Sequence, residues 1–170
     1  MRKDSNNSRR LYYIEDKDII TILFRNFSKA PDKFNPEGPR NANFWVVLDP
    51  DKARELADEG FNVRERENRD GELEYRIQVF VSELYFPTIV KVCGKVKTTL
   101  DNETMKQLDR DELEKVDLVL SKGKWEYAGR TGIKAWLDKG YFTIVKDKFD
   151  DMYDFGDEDE AEDFDMPFKE

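Results

Sequence analysis

Residues 68–81 constrain the fold more than any other stretch. Asn68-Arg69-Asp70-Gly71 is a hairpin turn signal, and the nine residues after Glu72 alternate. Leu73, Tyr75, Ile77, Val79 and Val81 share one face; Glu74, Arg76, Gln78 and Phe80 share the other. A period of two fits a strand with one buried face and does not fit a helix.

The remaining apolar runs are also short. Ile19–Phe24, rich in β-branched residues, reads as a buried strand, and Phe44–Leu48 reads as a second. Between them, residues 25–43 are broken by prolines, asparagines and Gly38 and predict a long loop. Loops of that length in a compact domain are usually functional or disordered. Asp49-Pro50 predicts the N-cap and first residue of a short helix to about Glu59, stopped by Gly60. Residues 61–66 read as extended. Residues 88–93 and 95–100 read as a hairpin around Gly94, and Asp101 as the cap of a short helix over 102–110.

Val116–Leu120 predicts a strand that ends in a turn at Ser121–Lys124. Trp125 and Tyr127 share one side of the next strand, residues 128–132 turn again, and 133–138 and 141–146 are extended. Many short strands with glycine turns and two short helices predict a mainly β chain, a small closed or nearly closed barrel.

Charge divides the chain. The net charge is −9, yet residues 149–170 hold eleven acids and one lysine, leaving 27 acids against 28 bases in the rest. The body is therefore near neutral, with room for a basic face, and carries a self-repelling acidic tail that is expected to be disordered. The N-terminal stretch to residue 17 is expected to be a flexible basic arm. It lacks the apolar segment of a secretory signal. No apolar run approaches the ~20 residues needed to span a membrane.

Several chemistries are excluded by residue type. One cysteine, Cys93, excludes an internal disulfide and suits a reducing compartment. No histidine is present, so zinc sites built from Cys and His, and nucleophile–histidine catalysis, are excluded. Arg130-Thr131-Gly132-Ile133-Lys134 lacks the spacing of a phosphate loop. Carboxylates leave a magnesium-dependent nuclease open, although Glu72 and Glu74 beside Arg76 read as an ordinary exposed strand face.

Cations, amides and aromatics interleave across residues 25–45, through Arg25, Asn26, Phe27, Lys29, Lys33, Phe34, Asn35, Arg40, Asn41, Asn43, Phe44 and Trp45. Single-stranded nucleic acid offers phosphates to the first type and unstacked base faces to the last. Composition alone favours the plainer reading, in which Phe27 and Phe34 pin the loop to a barrel and the cations are a solvated fringe. A second set is Lys122, Lys124, Trp125, Tyr127, Arg130, Lys134 and Trp136, where Lys134 and Trp136 share a face. Lys91, Lys95 and Lys97 form a third patch, which would also serve to guard an edge strand. Arg76 adds a cation on the polar face of its strand. In the tail, Asp163, Phe164, Asp165, Met166, Pro167 and Phe168 place an apolar hook behind acid, a form suited to an apolar pocket with a basic rim.

Two features resemble known families. Asp163–Phe168 resembles the acidic tip of bacterial single-stranded DNA-binding proteins, a run of Asp followed by Ile-Pro-Phe, except that Lys169 and Glu170 follow Phe168 here. Residues 25–49, RNFSKAPDKFNPEGPRNANFWVVLD, resemble phage-encoded single-stranded DNA-binding proteins. So do VDLVL at 116–120, KWEYAGRTGIKAWL at 124–137 and YFTI at 141–144. Asn41-Ala42-Asn43-Phe44 departs from that family's Arg-Asn-Phe by an insertion.

The resemblance implies an OB-like β-barrel over 18–148 that coats single-stranded DNA in phage DNA replication, recombination or repair. It implies no catalysis and no cofactor, and it carries Arg25, Phe27, Phe34, Arg40 and Trp45 as DNA contacts. The expected partners are single-stranded DNA and, through the tail, replication or recombination proteins, with a homo-oligomer left open. The expected location is the bacterial host cytoplasm. The competing expectation is an acidic DNA mimic that inhibits a host defence enzyme, which would need acid spread over the folded surface.

Overall fold

The turn at residues 68–71 joins two strands, as its residue types require. Asn68 Oδ1 accepts from the N–H groups of Asp70 and Glu72 at 2.9 and 3.0 Å, which closes the reversal. In the computed structural model, which describes residues 10–145, this hairpin is β4 (Arg64–Glu67) with β5 (Leu73–Val81). The predicted inward face holds from Tyr75 onward, with Ile77, Val79 and Val81 buried and Tyr75 packed against the core, whereas Leu73 at the hairpin end is exposed.

The other strands are β1 (Tyr12–Ile14), β2 (Ile19–Asn26), β3 (Ala42–Leu48), β6 (Thr88–Cys93), β7 (Val96–Leu100), β8 (Leu113–Tyr127) and β9 (Arg130–Ile144). Helix α1 (Pro50–Asp58) starts where Asp49 accepts from the Asp51 N–H at 3.1 Å, with proline at its first position. It buries Ala53 and Leu56. A 3₁₀ helix at Thr104–Asp109 stands in place of the helix expected over 102–110 and buries Met105 and Leu108. No described helix is long and apolar enough to cross a membrane.

Two expectations need correction. The turn expected at Ser121–Lys124 is absent: β8 and β9 pair without interruption in strand direction from Leu113–Ile144 out to Tyr127–Arg130. Gly123 marks a close approach, not a turn, because a Cβ there would lie 2.1 Å from Trp136 Nε1. The reversal comes at Ala128-Gly129, both with positive φ (52° and 80°), the two-residue hairpin whose twist matches its strands. The basic arm expected over 1–17 also gives way to structure at Tyr12. Residues 12–14 pair with β8 and bury Tyr12 and Ile14, which covers an edge that would otherwise be open. Residues 1–9 and the acidic tail, with its hook at Asp163–Phe168, lie outside the described residues.

The strand order is β1-β8-β9-β5-β3-β2, and β5 runs parallel to β9 through Val79–Ala135 and Phe80–Trp136. The β6–β7 hairpin adds to the far half of β9. This is the expected OB-like barrel, opened along one seam. Among the described residues no strand pairing joins β2 to β8.

Side chains bridge that seam instead. Arg25 Nη1 donates to the carbonyls of Leu108 and Asp111 at 2.8 and 2.6 Å. Asp109 accepts from the N–H groups of Phe27 and Ser28 and from the Ser28 hydroxyl at 2.6, 3.2 and 2.7 Å. Asp16 Oδ1 accepts from the Val116 N–H at 2.8 Å, and Asp117 Oδ1 from the Asp16 N–H at 2.9 Å. Removing one partner strands the other in a poorly hydrated place. Asp109→Ala is therefore expected to cost about 1–3 kcal/mol for each stranded N–H. Urea denaturation reads this directly; an unchanged midpoint would mean that Asp109 does not close the seam.

The core fills the barrel. Phe27 and Phe44 stack at 5.2 Å between centroids, and Phe142 meets them edge-on at 5.7 and 6.2 Å. Leu48, Leu56, Ile77, Ile89, Leu118 and Leu120 surround them, all fully buried.

Candidate nucleic-acid interface

The outer face of β3, β5 and β9 is set by register. Side chains directly opposite in paired strands share a face. Trp45 stands opposite Gln78, Asn43 opposite Phe80, and Phe80 beside Trp136 in the parallel pair. Alternate neighbours Phe44, Val46, Val79 and Ala135 point into the core. Trp45, Asn43, Gln78 and Phe80 form the floor of a groove of about 740 Å³, and Trp136 borders it beside Phe80.

One wall comes from β2, where a bulge lies between Leu23 and Asn26. Phe24 takes φ 52°, an uncommon conformation for a bulky residue, and is 67% exposed on the groove. Bulges re-aim side chains in this way, often beside functional sites. The Arg76 guanidinium lies 5.8 Å from the Phe24 ring, and that of Arg64 lies 5.6 Å from the Trp45 ring.

The loop over residues 27–41 forms the other wall and is organised by its own hydrogen bonds. Asn26 accepts from the Ala30 N–H and donates to its carbonyl at 2.8 and 3.1 Å. Asp32 Oδ1 accepts from the N–H groups of Phe34 and Asn35 at 2.8 and 2.7 Å. Gly38 lies so close to Lys29 that a Cβ would sit 2.6 Å from its carbonyl oxygen. Lys29 pairs with Glu83, and the hydrogen bond and charge of Lys29 hold the Glu83 carboxyl below its ordinary range. The result presents Phe34, 78% exposed, with Lys33 Nζ 5.2 Å from its ring.

Two aromatic clusters are thus separated by amides. Phe24 and Trp45 lie at one end. Phe80 and Trp136, 5.8 Å apart with Lys134 Nζ 4.6 and 5.5 Å from their rings, lie at the other. Between them Gln78 donates to Asn43 Oδ1 at 3.2 Å, and Asn43 donates to the Asn41 carbonyl at 3.0 Å. Six cations, Lys33, Arg40, Arg64, Arg66, Arg76 and Lys134, line the groove against one carboxylate, Asp32. Arg64 stands directly opposite Arg76 on the paired strands. Like charges in that position destabilise a sheet, and Glu74, 3.0 Å from Arg76, offsets only one of them. Such an array suits an anionic polymer with flat faces.

The structure brings Lys33, Phe34, Arg40, Trp45, Arg76 and Lys134 of the expected contacts together here, with Trp136 at the edge. Others it places elsewhere. Arg25 is engaged in the seam. Phe27 is 1% exposed in the core, where no base can reach it. Lys91 pairs with Asp111 at 3.0 Å and with Gln107, beside the carbonyls that Arg25 holds. Lys124 stands opposite Ile133 on the ribbon formed by β8 and β9, and Arg130 is at its tip. Sequence reasoning missed Phe24, Arg64, Arg66, Gln78 and Phe80. Phe80 carried a signal, an aromatic on the polar face of an alternating strand. So did Arg64 and Arg66, which share a face of Arg-Glu-Arg-Glu. Phe24 carried none, because only the bulge exposes it.

The family model of the phage ssDNA-binding domain matches residues 7–167. The chain belongs to the phage single-stranded DNA-binding family. Two solved structures share the fold. The single-stranded DNA-binding protein of bacteriophage Enc34 in complex with ssDNA is similar at a TM-score of 0.53, with 9% identity over 81% of this chain and 88% of that one. The C-terminal truncation of the Enc34 protein gives 0.51 and 9% over 81% and 87%. No curated protein matches the chain.

Proposed function

We propose that the chain coats single-stranded DNA with little sequence preference during phage DNA replication and recombination, in the host cytoplasm, holding the strand in the groove between the loop over 27–41 and β5. The observation that carries this reading is the pair of aromatic clusters in a groove lined by six cations. Lys33, Arg40, Arg64, Arg66, Arg76 and Lys134 neutralise phosphates, and the counterions released supply much of the affinity. Phe24, Phe34, Trp45 and Phe80 stack bases, which is tolerant of sequence because every base has a π face. Nothing in this role makes or breaks a covalent bond. A DNA mimic would place acid where these cations stand.

The acidic tail competes with DNA for the same cations, and DNA binding frees its hook at Asp163–Phe168 for replication or recombination proteins. The charge contrast supports this: eleven acids in 149–170 beside a near-neutral body.

The test is a tryptophan-fluorescence titration with oligo-dT and with the matching duplex, at several salt concentrations, run with the full chain and with one ending at residue 148. Quenching by oligo-dT alone is expected, with log affinity falling by about 0.7 per phosphate neutralised for each decade of salt. The shortened chain is expected to bind more tightly, most at low salt. Failure of both chains to bind oligo-dT would overturn the coating role; equal affinity of the two would overturn the competition by the tail.

A further inference from the structure

Asn41, Asn43 and Gln78 form a chain of hydrogen bonds across the floor of the groove, and its first link is a backbone carbonyl. A carbonyl oxygen only accepts, so the Asn43 side chain turns its Nδ2 toward Asn41, 3.0 Å away. Asn43 Oδ1 then lies on the other side, where it accepts from Gln78 Nε2 at 3.2 Å. Gln78 cannot exchange the two ends of its amide without setting its oxygen against that of Asn43. One main-chain atom therefore fixes the sense of both side-chain amides. Both residues are half-buried, and β3 and β5 are each paired with strands on either side, which holds the backbone beneath them.

Gln78 keeps part of its bonding capacity. A side-chain amide has two N–H donors and an oxygen with two lone pairs. One N–H goes to Asn43, and among the described residues nothing bonds to the other N–H or to Oε1. Gln78 stands directly opposite Trp45. Opposite side chains in antiparallel strands have Cβ atoms about 4.5–5.5 Å apart, so a base stacked on the Trp45 ring brings one edge to this amide. The rest of the groove is indifferent to base identity, because rings stack any base and cations meet phosphates. An amide free to turn over is nearly as tolerant. A locked one shows its acceptor and its donor in one order only.

We propose that Gln78, locked by Asn43, reads one base of the bound strand and favours adenine there. Oε1 accepts from the adenine N6 amino group, and the free N–H donates to the ring nitrogen beside it, the pairing a glutamine amide makes with adenine. Adenine shows that donor beside an acceptor on two edges, through N1 and through N7. In thymine and guanine a carbonyl oxygen takes the place of the amino group, and it would face the oxygen of the amide. The proposal rests on the groove reading and adds one selective position to an otherwise tolerant track. Asn43 is a positioning residue for Gln78.

The experiment walks a single adenine through the shortest oligo-dT that binds at full affinity, and titrates each oligonucleotide against the full chain. At one position adenine is expected to bind about fivefold to a hundredfold more tightly than thymine, the range of a single bidentate amide–base pair. Purine without the amino group, placed at that position, keeps the stacking ring and is expected to lose most of the gain. Gln78→Met keeps the length of the side chain without its polar ends, and its ratio of adenine to thymine affinity is expected to fall to near one at every position. Asn43→Leu leaves Gln78 in place but unlocked, and is expected to shrink the gain at the same position. Thermal midpoints are measured alongside, and the comparison of adenine with purine needs no variant. A flat profile in an unaltered chain that binds oligo-dT would overturn the proposal and leave the groove reading standing. So would a gain that purine retains, since stacking would account for it, or one that survives in Gln78→Met. If the unaltered chain binds no oligo-dT, the groove reading falls first and takes the selective position with it.

Discussion

Phe27→Ala is expected to remove about 3–5 kcal/mol of folding stability, read as a large drop in urea or thermal midpoint. The ring is 1% exposed, stacked on Phe44 and met edge-on by Phe142. Its deletion leaves a cavity at the centre of the barrel that rigid neighbouring strands can fill only in part. A domain of ordinary stability has about 5–15 kcal/mol in all, so much of the protein would be unfolded at moderate temperature. Trp45→Ala makes the contrast. Trp45 lies one residue along β3 from Phe44 but on the outer face, and its loss is expected to leave the midpoint nearly unchanged. If Phe27→Ala kept a wild-type midpoint and lost DNA affinity instead, Phe27 would belong to the interface and the register of β2 would be wrong.

That register explains what the sequence could and could not disclose. Arg25-Asn26-Phe27 reads as a cation beside an aromatic, the pairing a DNA contact would use. The bulge after Leu23 shifts which side each following residue faces. Phe24 turns out to the groove, Phe27 turns in, and Arg25 reaches the carbonyls across the seam. A slip of one residue exchanges the two faces of a strand, and nothing in the local composition marks it. Where the chain alternates without a bulge, the faces are legible. Tyr75–Val81 has the faces expected of it, and the hairpins at 68–71 and around Gly94 form where turn residues require them.

The same limit applies to long-range partners. Asp109 holds the N–H of a residue 82 positions away, and Asp16 that of one 100 away. Gly123 resembles a turn because the indole that needs its space lies in the next strand. Residue type shows that a backbone approach or a carboxylate is possible, but the partner is set by topology. The candidate groove was legible to the extent that its parts are local: Lys33, Phe34, Arg40 and Trp45 come from one stretch of chain. Arg64, Arg66, Phe80 and Lys134 reach it only because β4, β5 and β9 are laid side by side.

Removing the rings of Trp45 and Phe80 together is expected to weaken oligo-dT binding by about 2–6 kcal/mol, from two stacking interactions worth about 1–3 kcal/mol each. That is about thirtyfold to ten-thousandfold, since each 1.4 kcal/mol is a factor of ten. The two rings belong to different clusters, Trp45 beside Arg64 and Phe80 beside Trp136, so their effects are expected to be close to additive. The salt dependence of what binding remains should keep its slope, because every cation that meets a phosphate is still in place. Arg64→Gln with Arg66→Gln should do the reverse. The slope of log affinity against log salt becomes shallower by about 0.7 for each phosphate left without its arginine. Meanwhile the free domain keeps its thermal midpoint, because Arg64 faces the like charge of Arg76 across the hairpin. A cation kept opposite a cation is poor design for a sheet and good design for a polyanion. If the ring variant changed the slope as much as the arginine variant, stacking and neutralisation would not be separable in this groove, and the division of roles between its aromatics and its cations would fail.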